Sequence, residues 1–202
     1  VKPRIVVLDY GSGNVRSVQR ALQRIGAEVT VTADAGAALA ADGLVVPGVG
    51  AFAACMAGIV RVGGIEVLRK RLESRAPLFG ICVGFQVLFD YGVESGVRTE
   101  GLAFWSGGVE RLAAAVLPHM GWNTVTAPAD TVLFRGVGAE RFYFVHSYAP
   151  HTPTGNAALT RYEDDVFVSA VEDGVVVGTQ FHPEKSGDAG AVVLRNWMES
   201  WT

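Results

Sequence analysis

Across residues 4–90, short runs of aliphatic and β-branched residues alternate with segments whose apolar positions recur every three or four residues. Such an alternation confines a chain to βαβ units, because both patterns are buried at once only when helices are laid over a largely parallel sheet. Arg4 to Asp9 (RIVVLD) predicts a buried strand, and Val15, Val18, Leu22 and Ile25 then share one helix face that Gly26 closes as a C-terminal cap. Further strands are expected at Glu28 to Thr32, Leu44 to Val46 and Pro77 to Ile81, with helices at about 51–59, 65–72 and 84–90. Gly11-Ser12-Gly13 invites a dinucleotide reading with Asp34 as the ribose acid. Arg16 stands at the third glycine position, and its bulk argues against the close helix approach that this fingerprint needs.

After about residue 100 the texture changes to short strands separated by turn residues: LAFW, GVERL, NTVTA, FYFVHSY and ALTRY. A hairpin is predicted from Val166 to Glu172 and Val175 to Phe181, with Asp173-Gly174 as its tight turn. A last amphipathic helix is expected at about 189–201. No linker, repeat or low-complexity stretch divides the 202 residues, so 1–202 is read as a single domain, with the β-rich second half packed on the α/β half. At this length a core needs neither disulfides nor metal to hold it.

Composition removes several function classes. With 17 Lys+Arg against 20 Asp+Glu, a net charge of -3 and no basic run, a nucleic-acid partner is not expected. The uncharged stretch Gly43 to Val60 only just reaches membrane-spanning length and is broken by Pro47, Gly48 and Gly50. With no secretory pattern either, a soluble cytoplasmic protein is expected. Cys55 and Cys82, the 2 cysteines, supply neither a disulfide framework nor a zinc motif, so no metal or cofactor is expected. Charged residues are 18% and apolar residues 50%, which leaves room for a surface covered by another chain.

Gly80-Ile81-Cys82-Val83-Gly84 lies where a buried strand passes into a helix. A nucleophile on a strained strand-to-helix turn needs very small neighbours two residues to either side. The turn also aims the N–H of the next residue, Val83, at a developing oxyanion. The alternative is a cysteine simply buried in an apolar strand; Cys55, in an Ala-rich helix, fits that alternative better. A thiol nucleophile calls for an imidazole base and a group to orient it. His182 follows the last strand of the hairpin and is held extended by Pro183, so Glu184, two residues on, is expected on the same side. His119 and His151, beside prolines, read as solvated, and His146 as a hydrogen-bonded strand-end residue. Pro47-Gly48-Val49-Gly50 is either a second oxyanion donor, with glycines freeing the Val49 peptide to turn, or an ordinary glycine-rich turn.

Taken together, GICVGFQ and GTQFHPEKS resemble the triad segments of the class I glutamine amidotransferase family. DYGSGNVRSVQRAL, PGVGAF, HMGWN and YFVHSY narrow the resemblance to the glutaminase-subunit family of imidazole glycerol phosphate synthases, over nearly the whole chain. Val83 and Phe85 depart from the Leu and Met common in that family. The resemblance implies a flavodoxin-like, mostly parallel sheet flanked by helices. It also implies a Cys82-His182-Glu184 triad hydrolysing L-glutamine, and an oxyanion hole built from Gly48, Val49, Gly50 and Val83. Gln86, Glu94 and backbone near Ser147 would grip the α-amino and α-carboxylate end of the substrate; from the residues alone, Gln86 and Glu94 read instead as a polar helix face and a solvated loop carboxylate. A (β/α)8 cyclase partner, forming imidazole glycerol phosphate and an aminoimidazole carboxamide ribotide, would dock on Asn14, Trp122, Tyr143 and Lys185. The alternatives are the glutaminase of another synthase, a stand-alone γ-glutamyl hydrolase and a regulator that has kept the fold alone.

Overall fold

A computed structural model describes residues 2–202. The first half runs β1 (Arg4–Leu8), α1 (Val15–Arg24), β2 (Glu28–Thr32), α2 (Ala35–Ala40), β3 (Gly43–Gly48), α3 (Phe52–Arg61), α4 (Gly64–Glu73), β4 (Leu78–Cys82) and α5 (Val83–Gln86). It continues with β5 (Phe89–Glu94), β6 (Val97–Glu100), β7 (Trp105–Arg111), β8 (His119–Thr124), β9 (Arg141–His146) and β10 (Tyr148–Pro150). The chain ends in β11 (Asn156–Tyr162), β12 (Asp165–Asp173), β13 (Val176–Thr179), a 3-10 turn at Pro183–Lys185 and α6 (Gly187–Glu199).

The main sheet has the order β11-β12-β13-β4-β3-β1-β2. From β13 to β2 every pairing is parallel, and the β11-β12-β13 meander adds the antiparallel edge. β3 (GLVVPG) and β4 (LFGIC) are buried at every position, as central strands covered on both faces must be. The chain steps outward from β1 to β2 and then back past β1 to β3. Right-handed crossovers therefore put α1 and α2 on opposite faces.

The flavodoxin-like, mostly parallel sheet is as expected, and three details of the expectation are corrected. The β-rich half does more than pack on the sheet: it supplies β11, β12 and β13 to it, while β10-β7-β5-β6 and β8-β9 form two smaller sheets. The helix expected at 84–90 stops at Gln86, because Leu102 N donates to Val87 O (2.8 Å), Phe104 N to Leu88 O (2.9 Å) and Ala103 N to Phe89 O (3.1 Å), drawing this segment into extended pairing. In the hairpin, Asp173 pairs with Val176, so the two-residue turn is Gly174-Val175, one position later than expected, with Gly174 at φ 62°. One helix, α2, escaped the sequence reading. Asp34, read there only as a rejected ribose acid, caps it by accepting from Ala37 N at 2.7 Å.

Candidate active site

β3, β4 and β13 lie side by side, and the C-terminal ends of all three meet at one edge of the sheet. Cys82 ends β4 with φ 54° and ψ -111°, a strained conformation for a residue with a side chain. Its glycine neighbours are required by contact. A Cβ on Gly80 would stand 2.7 Å from Gly84 O, a Cβ on Gly84 would overlap the carbonyl of Val46, and one on Gly48 would overlap Gly84 N. Val83 opens α5, so its N–H has no acceptor within the helix and is free to donate beside the sulfur.

His182 follows β13. Its side chain is 2% exposed and that of Glu184 1%, and His182 Nδ1 lies 2.8 Å from Glu184 Oε1. The pair was expected, but not for the right reason. Pro183 starts a 3-10 turn rather than continuing an extended strand, and the turn brings Glu184 back onto the ring. Burial pulls the imidazole down, but the neighbouring Cys82 sulfur and the Glu184 carboxylate outweigh it and push His182 up to about 9. His182 Nε2 makes no hydrogen bond within the protein.

A cavity of about 290 Å³ opens above the sulfur, lined by Val49, Gly50, Cys82, Val83, Gln86, Glu94, Ser147, His182 and Lys185 among others. Every residue expected in the triad, oxyanion hole or substrate grip lies here except Glu184, behind the imidazole, and Gly48, which pairs with Cys82 from β3. Gln86 is buried and donates to the carbonyl of Tyr148 at 2.8 Å. Glu94 sits on β5, not in a solvated loop, and its Oε2 accepts the N–H of Phe52, the first residue of α3, at 3.1 Å. It thereby anchors the helix that follows the Pro47 to Gly50 loop.

That loop is held in a definite orientation. Val49 N–H points to Ser12 Oγ (3.4 Å), while the Val49 carbonyl accepts from Ser12 Oγ (3.0 Å) and Cys55 Sγ (3.4 Å). Ser12 does not line the cavity, so the Val49 N–H, expected as a second oxyanion donor, is turned away from it. Cys55 is buried with its thiol pushed up by desolvation, which suits a structural role. Nothing in Gly11-Ser12-Gly13 itself marks this role for Ser12, because its partner Val49 lies 37 residues away.

Of the residues expected at a docking surface, three cluster. Trp122 and Tyr143 are cross-strand partners with ring centroids 6.1 Å apart, and Lys185 Nζ lies 6.0 Å from the Tyr143 ring. Met120 and Trp122, two apart on β8, are 66% and 50% exposed. Asn14 is the N-cap of α1 and makes no side-chain capping bond. His119, expected in solvent, is buried on the other face of β8, stacked on Phe144 and Tyr162 and 3.0 Å from His146. Among the described residues no cluster of His, Cys, Asp and Glu could hold a metal, and no helix is long and apolar enough to cross a membrane.

A family profile described as glutamine amidotransferase class-I matches residues 6–201. The chain belongs to the class-I glutamine amidotransferase family. Its relatives include the imidazole glycerol phosphate synthase subunit HisH of Nocardia farcinica, 61% identical over 97% of each chain. The HisH of Mycolicibacterium paratuberculosis is 60% identical over 96% of this chain and 97% of that one, and that of Thermobifida fusca 55% over 98% and 99%. A crystal structure of a glutamine amidotransferase (TM-score 0.76, 23% identity, 97% of both chains) shares the fold. So does PurLQS from Thermotoga maritima (TM-score 0.71, 20% identity, 98% and 99%). The Cys82 elbow and its cavity lie within the matched residues.

Proposed function

We propose that Cys82, His182 and Glu184 are the triad with which this glutamine amidotransferase hydrolyses L-glutamine to L-glutamate and ammonia. On this reading it is a single-domain, cytoplasmic subunit that passes ammonia to a (β/α)8 cyclase, which forms imidazole glycerol phosphate and the carboxamide ribotide in histidine biosynthesis. The observation that carries the reading is the strained Cys82 elbow facing the same cavity as an imidazole already bonded to a buried carboxylate.

The chemistry follows from the groups present. The Cys82 sulfur attacks the amide carbon of glutamine, forming a C–S bond while the carbonyl oxygen takes up negative charge. Val83 N–H stabilises that charge from one side. His182 gives its proton to the departing nitrogen as the C–N bond breaks, releasing ammonia and leaving a thioester. His182 then takes a proton from water, which cleaves the thioester to glutamate and restores the thiolate. Glu184 holds the imidazole in the orientation that points Nε2 at the reacting atoms. The loop supplies the second donor only after the Gly48-Val49 peptide turns away from Ser12, so the isolated subunit rests short of full turnover. Docking of the cyclase on the Trp122, Tyr143 and Lys185 surface, with its nucleotide bound, is what turns it.

Glutamine hydrolysis by the chain alone, with the cyclase subunit, and with cyclase plus nucleotide tests this reading. A rise of at least tenfold in the last condition is expected. Cys82→Ala should abolish hydrolysis yet leave synthesis from ammonium salts intact. Full activity of the isolated chain would indicate a stand-alone γ-glutamyl hydrolase, and stimulation only by another synthase would reassign the partner.

A further inference from the structure

Gln180 sits between β13 and His182, wholly buried, with its N–H bonded to Ser169 O at 2.8 Å. Its side chain reaches the nucleophile: Nε2 donates to Cys82 Sγ at 3.7 Å, a distance suited to sulfur. The direction of that amide is fixed by its surroundings. Gln86 makes two contacts with one end of its side chain, to the Tyr148 carbonyl at 2.8 Å and to Gln180 at 2.9 Å. A main-chain carbonyl only accepts, so this end of Gln86 must be the NH2 group. The Gln180 atom facing it must then be the oxygen, which leaves the Gln180 NH2 toward the sulfur. The Tyr148 carbonyl lies 3.0 Å from His146 Nδ1 as well, so it anchors the arrangement from two sides.

We propose that Gln180 is a positioning residue for the glutaminase reaction, holding the Cys82 sulfur in its attacking rotamer and donating it a hydrogen bond as it reacts. This inference rests on Cys82 being the nucleophile. Gln86 acquires a second duty from it: besides lining the substrate cavity, it orients Gln180. A hydrogen bond to a charged acceptor is worth enough to change a rate roughly ten- to hundredfold, and desolvation around a fully buried donor keeps it near the upper end.

The test uses the complex with the cyclase subunit and two variants, Gln180→Leu, which removes the donor, and the isosteric Gln180→Glu, which puts an oxygen against the sulfur. Four quantities are read: kcat and KM for glutamine hydrolysis, the rate at which iodoacetamide alkylates Cys82 at pH 7 by mass spectrometry, and synthesis from ammonium salts. Both variants should lower kcat and the alkylation rate roughly tenfold or more, with KM within about threefold and ammonia-dependent synthesis retained. Should Gln180→Leu fail to fold, seen as loss of ammonia-dependent synthesis, Gln180→Glu carries the test. Alkylation at the wild-type rate in a folded variant, or a loss confined to KM, overturns the inference. Glutamine hydrolysis persisting in Cys82→Ala would overturn instead the reading beneath it.

Discussion

The N–H of His182 donates to the main-chain carbonyl of Tyr143 at 2.9 Å. A half-buried aromatic residue of the proposed docking surface therefore shares a backbone contact with the proposed general base. Ser186 closes the same junction. Its hydroxyl donates to the His182 carbonyl at 2.7 Å and accepts from Tyr143 N at 3.0 Å.

Removing that hydroxyl deprives Tyr143 N–H of its partner, while the His182 carbonyl keeps the Lys185 N–H at 3.0 Å. Ser186→Ala should cost about 1–3 kcal/mol of stability in urea unfolding. It should also lower kcat for glutamine more than it raises KM, since the imidazole loses its fixed position. A variant with wild-type kcat would show that the Tyr143 contact alone sets His182.

Ser12→Ala should release the Val49 peptide. The serine holds both the N–H and the carbonyl of Val49, and the net worth of such neutral bonds is about 1 kcal/mol. Basal glutaminase of the isolated chain should rise roughly fivefold, with a smaller effect on the fully stimulated complex. Unchanged basal turnover would mean that Ser12 does not restrain the loop.

Lys185 lines the cavity and lies over the Tyr143 ring. Lys185→Ala should weaken partner-stimulated glutamine hydrolysis severalfold while synthesis from ammonium salts falls less. Equal loss of both activities would place Lys185 in general docking and outside the gating of the glutaminase.

Stability should peak near pH 6.5. His182 is raised to about 9, so its contribution is fully present below the ordinary histidine value of about 6.5 and is lost as pH climbs through 9. Burial lowers His119 to about 4 and His146 to about 3. The unfolded chain takes up protons at these two sites before the folded one does, so stability declines as pH falls from about 6.5 through 4. Urea midpoints measured across this range check both limbs. His182→Gln should flatten the alkaline limb and leave the acid limb in place.

How much of this was legible in sequence depends on whether the cause was local. The elbow could be read because its two glycines flank Cys82 within five consecutive residues, although the carbonyl that leaves Gly84 no room for a Cβ belongs to Val46 on β3. His182 and Glu184 could be paired by separation alone, although the 3-10 turn that joins them was not foreseen. The helix after Cys82 was overextended because what ends it is pairing with residues 102–104, distant in sequence and silent in any local pattern. The same holds for Glu94, whose role at the start of α3 depends on a contact 42 residues away, and for Ser12, 37 residues from Val49. Gln180 was visible within a quoted motif, yet nothing along the chain says that its amide meets the sulfur 98 residues earlier.

The seam between β4 and β13 has a consequence for the chain during its own synthesis. Leu78 to Ile81 find their partners in Val176 to Thr179, a parallel pairing that closes a very long loop and so forms late. Until β13 slots in, β4 has one neighbour, the thiol has no imidazole near it, and the cavity lacks a wall. A ribosome-bound or prematurely ended chain therefore displays an inert cysteine. With the proposed triad, glutamine would be hydrolysed only once β13 is in place, and the appearance of turnover would time that step.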